Sequence, residues 1–100
     1  MRYALHWTNI AGFRHRGLKL LYERGDASGV RPDMLDKVRT ILMQLDQART
    51  IEDLRLTSFR LHPLKGDMKG YWAVTVKANW RIIFHFADGD AADVELIDYH

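Results

Sequence analysis

Two imidazoles, a phenol, a carboxylate and several cations are the side chains in this sequence best suited to moving protons around a phosphate ester. His62 and Lys65 fall within Arg60-Leu61-His62-Pro63-Leu64-Lys65-Gly66-Asp67-Met68-Lys69-Gly70-Tyr71-Trp72, and the chain closes on Asp98-Tyr99-His100. Pro63 removes a backbone donor, while Gly66 and Gly70 permit positive φ, so the first segment reads as a shaped turn between two strands. Such a turn, bearing His and Lys, can hold a phosphate. Taken alone, a solvated loop is the commoner use of polar residues between strands.

The far end of the chain changes that balance. A last strand over Val94 to Asp98 runs into Asp98-Tyr99-His100 without a linker, and hairpin geometry can return these residues toward the turn. The bland alternative is an unstructured polar terminus. Brought together, the set suits cleavage of RNA by attack of a ribose 2′-hydroxyl on its neighbouring phosphate. That reaction needs a base for the hydroxyl, an acid for the leaving 5′-oxygen and cations for the charge on the phosphorane. Histidine, with an ordinary pKa of about 6.5, serves as base or acid near neutrality, so His62 and His100 are interchangeable at this point. Lys65 and Arg81 suit the phosphate oxygens, Tyr99 can stack on a base or donate a hydrogen bond, and Asp98 is base, orienter or structural. No metal or cofactor is called for.

The elements that must position these groups follow from periodicity. Phe13 to Arg24 repeats its apolar residues at three and four and stops at Gly25, which predicts a first helix. Pro32 and Asp33 open a second, whose stripe of Met34, Leu35, Val38, Ile41, Leu42 and Leu45 is core. Thr50 and Asp53 cap a helical turn over Ile51 to Arg55. Beyond Thr57 the period becomes two. Phe59 to Leu61 enters a strand, His62 to Gly70 is the turn, and Tyr71 to Lys77 is a second strand with Trp72, Val74 and Val76 on one face. Ala78-Asn79 turns the chain into Trp80, Ile82, Phe84 and Phe86, which leaves Arg81, Ile83 and His85 opposite. Asp88-Gly89 signals the final hairpin. A weak strand signal over Thr8 to Gly12 is centred on Ile10.

The expected fold class is therefore α+β, with two N-terminal helices packed on one face of a mainly antiparallel sheet and the other face left available. Arg81 falls on that open face, where it meets water, an anion, or an acid such as Glu95.

Composition bounds the rest. One hundred residues, 47% of them hydrophobic, make a single domain with a modest core. The absence of cysteine removes disulfides and zinc thiolates, and nothing requires an oxidising compartment, so a cytoplasmic location is expected. No signal peptide or membrane span is apparent. The net charge is only +2, yet Arg2, Arg14, Arg16, Lys19 and Arg24 face a single acid, Glu23, in the first 24 residues, while the stretch from Asp88 to Asp98 is acidic without Lys or Arg. One end of the molecule is basic, which in a functional reading binds a polyanion.

Gly12-Phe13-Arg14-His15-Arg16-Gly17-Leu18-Lys19, Phe59 to Asp67, Lys69-Gly70-Tyr71-Trp72-Ala73-Val74, Asn79-Trp80-Arg81-Ile82, and Asp93-Val94-Glu95 with Asp98-Tyr99-His100 resemble, in that order, the HigB toxins of the RelE superfamily. The resemblance runs from about Ile10 to the last residue and leaves Met1 to Asn9 as an N-terminal extension. It implies a compact microbial-RNase-like fold and an endonuclease that cuts messenger RNA in the ribosomal A site. It implies also a HigA-type helix-turn-helix antitoxin, with operator DNA reached only through the toxin–antitoxin complex. Carried over by position, His62, Lys65, Arg81, Asp98, Tyr99 and His100 match residues implicated in cleavage, and Arg14, Arg16, Lys19 and Lys69 are candidates for RNA or ribosome contact. Two other readings compete on the same scaffold. One is a ParE-like inhibitor of DNA gyrase without catalytic residues, and the other a catalytically silent RNA-binding or antitoxin-partner module.

Overall fold

A computed structural model describes residues 10–99. The chain forms α1 (Arg16–Arg24), α2 (Leu35–Gln47) and four strands, β1 (His62–Pro63), β2 (Trp72–Lys77), β3 (Trp80–Ala87) and β4 (Asp90–Asp98). Short 3₁₀ turns lie at Ile51–Leu54, Thr57–Phe59 and Gly66–Met68. The strands pair antiparallel in the order β1-β2-β3-β4, a meander built from consecutive hairpins.

The helices start and stop where local chemistry allows. His15 caps α1, its Nδ1 accepting from the Leu18 amide at 3.1 Å, and Gly25 ends the helix at φ 71°, a left-handed conformation that glycine adopts without penalty. α1 therefore begins three residues later than the apolar spacing predicts. Phe13 is taken instead by the sheet, where it bridges Val94 in parallel, as Ile10 bridges Ala91. The expected weak strand about Ile10 is thus an edge segment of residues 10–14 laid along β4, and its Thr8–Asn9 portion lies outside the described residues. At Thr50 the Asp53 carboxylate accepts from the amides of Arg49 and Thr50 at 2.9 and 3.1 Å, which starts the short turn that follows α2.

One apolar cluster joins both helices to the sheet. Leu18 and Leu21 of α1 and Val38, Ile41, Leu42 and Leu45 of α2 meet Val74, Val76, Ile82, Phe84, Val94 and Leu96, with Leu54 and Phe59 closing one end. Burial of these side chains, about 1.5–3 kcal/mol each against full exposure, is what fixes the helices to this face. A close backbone crossing completes the helical layer. A Cβ added to Gly17 would stand 2.5 Å from the Gly29 carbonyl oxygen, so α1 touches the 25–34 connection with no room for a side chain.

The opposite face carries a second, smaller cluster. Leu64, Ala73 and Ile83 are buried there, with Met68, Tyr71 and Ile97 packed around them. The strand expected over Phe59 to Leu61 is displaced, because Thr57–Phe59 forms a 3₁₀ turn that buries Phe59 and Arg60 then takes a left-handed φ of 51°. Pairing begins only at His62, which makes β1 two residues long. Among the described residues no helix is long and apolar enough to cross a membrane.

Candidate active site

Strand register arranges the open face in ranks. His62 pairs Ala73, which pairs Ile83, which pairs Glu95, so these four share one rank and one face. The next rank toward the Ala78-Asn79 turn holds Thr75, Arg81 and Ile97. With neighbouring strands about 4.8 Å apart and same-face residues about 6.8 Å apart along a strand, the Cα atoms of His62 and Arg81 are separated by about 12 Å. Side chains of His and Arg length reach across such a gap to a phosphate lying between them.

His62 is half-buried and its Nδ1 lies 3.0 Å from the carbonyl oxygen of Arg60. A carbonyl only accepts, so Nδ1 carries the proton in this contact and the neutral ring keeps its lone pair on Nε2. Nε2 is the nitrogen that this contact does not hold. The left-handed φ of Arg60 turns the chain between the buried Phe59 and β1, and its carbonyl is the one that holds the ring.

Lys65 sits at the start of the Gly66–Met68 turn, exposed, on a loop whose ends are closed by a hydrogen bond from the Leu64 amide to the Tyr71 carbonyl at 2.9 Å. Leu64 and Met68 pin that loop to Ala73 and Ile83, and Lys65 and Lys69 are exposed on it. Gly66 at φ 64° and Gly70 at φ 99° make the loop's shape available.

Arg81 is fixed to its own turn. Its Nη1 donates to the carbonyls of Ala78 at 2.6 Å and Trp80 at 3.2 Å, whereas its Nε is buried with no hydrogen-bond partner. The expected alternative partner, Glu95, instead contributes to holding the Arg14 guanidinium above its ordinary pKa, after the larger influence of the Tyr71 hydroxyl. A buried unpaired donor costs about 1–3 kcal/mol, which makes the resting position of Arg81 easy to give up for a better acceptor.

Alternation separates the terminal residues. Asp98 pairs Trp80 and so lies on the helix-bearing face at the end of β4, while Tyr99 continues the Ile97 face. The Tyr99 amide donates to the Asn79 carbonyl at 2.8 Å, so the exposed Tyr99 and Arg81 are tied to the same two-residue turn. His100 lies outside the described residues. The structure thus places His62, Arg81 and Tyr99 on one face, Lys65 on the loop whose Leu64 and Met68 pack against that face, and Asp98 at its margin on the other.

Of the basic residues expected to meet RNA, Arg14, Arg16, Lys19 and Lys69 are all exposed. Arg14 also reaches across the fold, its Nη1 donating to the Tyr71 hydroxyl at 3.2 Å. Tyr71 stacks on His85, centroids 3.9 Å apart and planes at 27°, and His85 Nδ1 meets Asp93 at 2.9 Å. This group escaped sequence reasoning. The parity of His85 opposite Phe84 and Phe86 was a usable signal, but Asp93 reaches it only through a bulge in β4, where Asp93 takes φ 52°. Among the described residues no three His, Asp or Glu side chains converge as they do around a metal ion.

Known proteins resemble this chain in both sequence and fold. A protein from Proteus vulgaris named Endoribonuclease HigB is 48% identical over 91 residues, covering 91% of this chain and 99% of that protein. Two crystal structures of YafQ from E. coli, one of a mutant and one from strain BL21(DE3), share the fold at TM-scores of 0.56 and 0.52. Each is 20% identical and covers 87% of this chain and 88% of YafQ. The profile described as HigB-like toxin, a RelE-like toxin of type II toxin–antitoxin system HigB, matches residues 11–100, and the chain belongs to that family.

Proposed function

We propose that this chain is the toxin of a type II toxin–antitoxin system and acts as an endoribonuclease that cuts messenger RNA on the ribosome. The observation that supports it most is His62, held by the Arg60 carbonyl with Nε2 left for proton transfer, on the same sheet face as Arg81. The 48% identity to a protein named for endoribonuclease activity points the same way.

In this reading the scissile phosphate lies across the face between His62 and Arg81. His62 and His100 divide the two proton transfers, one taking the 2′-hydroxyl proton and the other giving a proton to the 5′-oxygen. Lys65 and Arg81 neutralise the nonbridging oxygens as charge accumulates on the phosphorane. Arg81 leaves the Ala78 carbonyl to do so, exchanging a neutral acceptor for an anionic one. Tyr99 stacks on or hydrogen-bonds a flanking nucleotide, and Asp98 fixes the end of β4. Arg14, Arg16, Lys19 and Lys69 supply the attraction to ribosomal or messenger RNA. No metal takes part. The antitoxin is of the HigA helix-turn-helix type, reaches operator DNA in complex with this chain, and holds the toxin inactive in the cytoplasm.

The test is cleavage of a defined messenger RNA by untagged protein, with and without programmed ribosomes, using RNA that carries a single 2′-deoxyribose 5′ to the cut. Cleavage that requires the ribosome and stops at the deoxy position supports the reading. Intact RNA with folded wild-type protein favours a gyrase-directed or silent binding module.

A further inference from the structure

Tyr71 is the residue at which the Lys65 loop rejoins the sheet, and four contacts converge on it. Its carbonyl accepts from Leu64, its amide donates to the Met68 carbonyl at 3.0 Å, its hydroxyl accepts from Arg14, and its ring lies on His85. Each outer member is itself anchored. Arg14 follows Phe13 in the edge segment bonded to Val94, its own amide donating to the Val94 carbonyl at 2.8 Å, and His85 is held by Asp93. Gly70 lies against the His85 ring, where a Cβ would make an ordinary contact with Nε2 at 3.7 Å, and its φ of 99° is what calls for glycine there.

On the side nearer His62, the loop is held by the pairing of His62 and Pro63 with Ala73 and Trp72 and by the small cluster of Leu64, Met68, Ala73 and Ile83. The stack is its second anchor. A loop fixed at two points keeps a lysine at its tip in one place, whereas a loop fixed at one point swings. We infer that Tyr71 and His85, buttressed by Arg14 and Asp93, form a positioning brace that holds Lys65 over the cleavage face. His85 acts here through its ring face on Tyr71 and does not touch substrate. The inference rests on the reading of Lys65 given above.

Steady-state cleavage on programmed ribosomes tests it, with His85→Ala, His85→Phe and Lys65→Ala beside the wild type, together with amide hydrogen exchange over residues 65–70. A displaced catalytic cation lowers turnover more than binding. His85→Ala should therefore lose about tenfold or more in kcat while KM changes by less than about threefold. His85→Phe, which keeps an aromatic face for Tyr71, should recover most of kcat. Exchange at 65–70 should accelerate in His85→Ala and not in His85→Phe. Full kcat in His85→Ala overturns the inference, as does His85→Phe as slow as His85→Ala, which would make the imidazole itself the acting group. Full activity in Lys65→Ala overturns the assignment of Lys65, while unchanged exchange in His85→Ala overturns the brace, so the two failures are separately visible.

Discussion

His62 and Arg60 are joined ring to backbone: Nδ1 of the imidazole lies 3.0 Å from the Arg60 carbonyl, and Arg60 holds φ at 51°. The contact fixes the neutral tautomer and aims Nε2 away from the chain, so the backbone of one residue sets the chemistry of another. Arg60 is exposed, and its contribution to the ring runs through its backbone conformation.

That relationship is testable with two substitutions that both delete the Arg60 side chain. Arg60→Gly keeps a left-handed φ at no steric cost, whereas Arg60→Ile resists it strongly. Cleavage by Arg60→Ile should fall at least about tenfold below that of Arg60→Gly, since a shifted carbonyl misplaces the ring. Equal rates would show that the carbonyl does not position His62.

Arg81 gives a second prediction. At rest Nη1 alone donates to both the Ala78 and Trp80 carbonyls, and lysine at this position keeps the charge but loses the planar fork that, in the proposed reaction, suits two phosphate oxygens. Arg81→Lys should lower kcat by about tenfold or more with the melting temperature nearly unchanged. Wild-type kcat in Arg81→Lys would reduce the role of Arg81 to a point charge.

The backbone crossing of Gly17 and Gly29 predicts a purely structural effect. Alanine at Gly17 must push α1 off the 25–34 connection, and overpacking of this kind costs about 1–3 kcal/mol. Gly12→Ala, with nothing within 4 Å of its Cβ, is the matched control. Urea denaturation should show a lowered midpoint for the first and little change for the second.

Acid dependence follows from carboxylates held below their ordinary range. Asp53 is lowered by the amides of Arg49 and Thr50, and Asp33 by hydrogen bonds from Lys77 and then Arg31. A depressed folded-state pKa contributes stability that is complete above the unfolded value of about 4 and is lost as pH falls through the folded value. Asp53→Asn should therefore be less stable than wild type at pH 7, and the difference should vanish near pH 2. A difference that persists at pH 2 would mean that the lost contact was not electrostatic.

The sequence made the sheet readable because its strands alternate cleanly. Trp72, Val74, Ile82 and Phe84 do face the helices, and Arg81 and Ile83 do take the other side. Periodicity failed where tertiary pairing competes with it. Phe13 suits a helix by spacing but bridges Val94, and β4 begins at Asp90 rather than at the expected Val94, since a bulge at Asp93 hides the alternation between Ala91 and Val94 from a local reading. The placement of the candidate residues was legible in part for the same reason. His62, Lys65 and Arg81 sit on local features, a turn and a strand parity, whereas the Tyr71–His85–Asp93 group depends on register and a bulge that no local pattern announces.

The central claim is that His62 moves a proton during cleavage, and the most direct measurement is the single-turnover rate of messenger RNA cutting on programmed ribosomes by wild type and His62→Ala. Loss of a general acid or base predicts a fall of about 10²–10⁴-fold at saturating toxin, with the folded state intact by circular dichroism. Equal single-turnover rates would contradict it, and the acid–base pair would have to be sought elsewhere on the molecule.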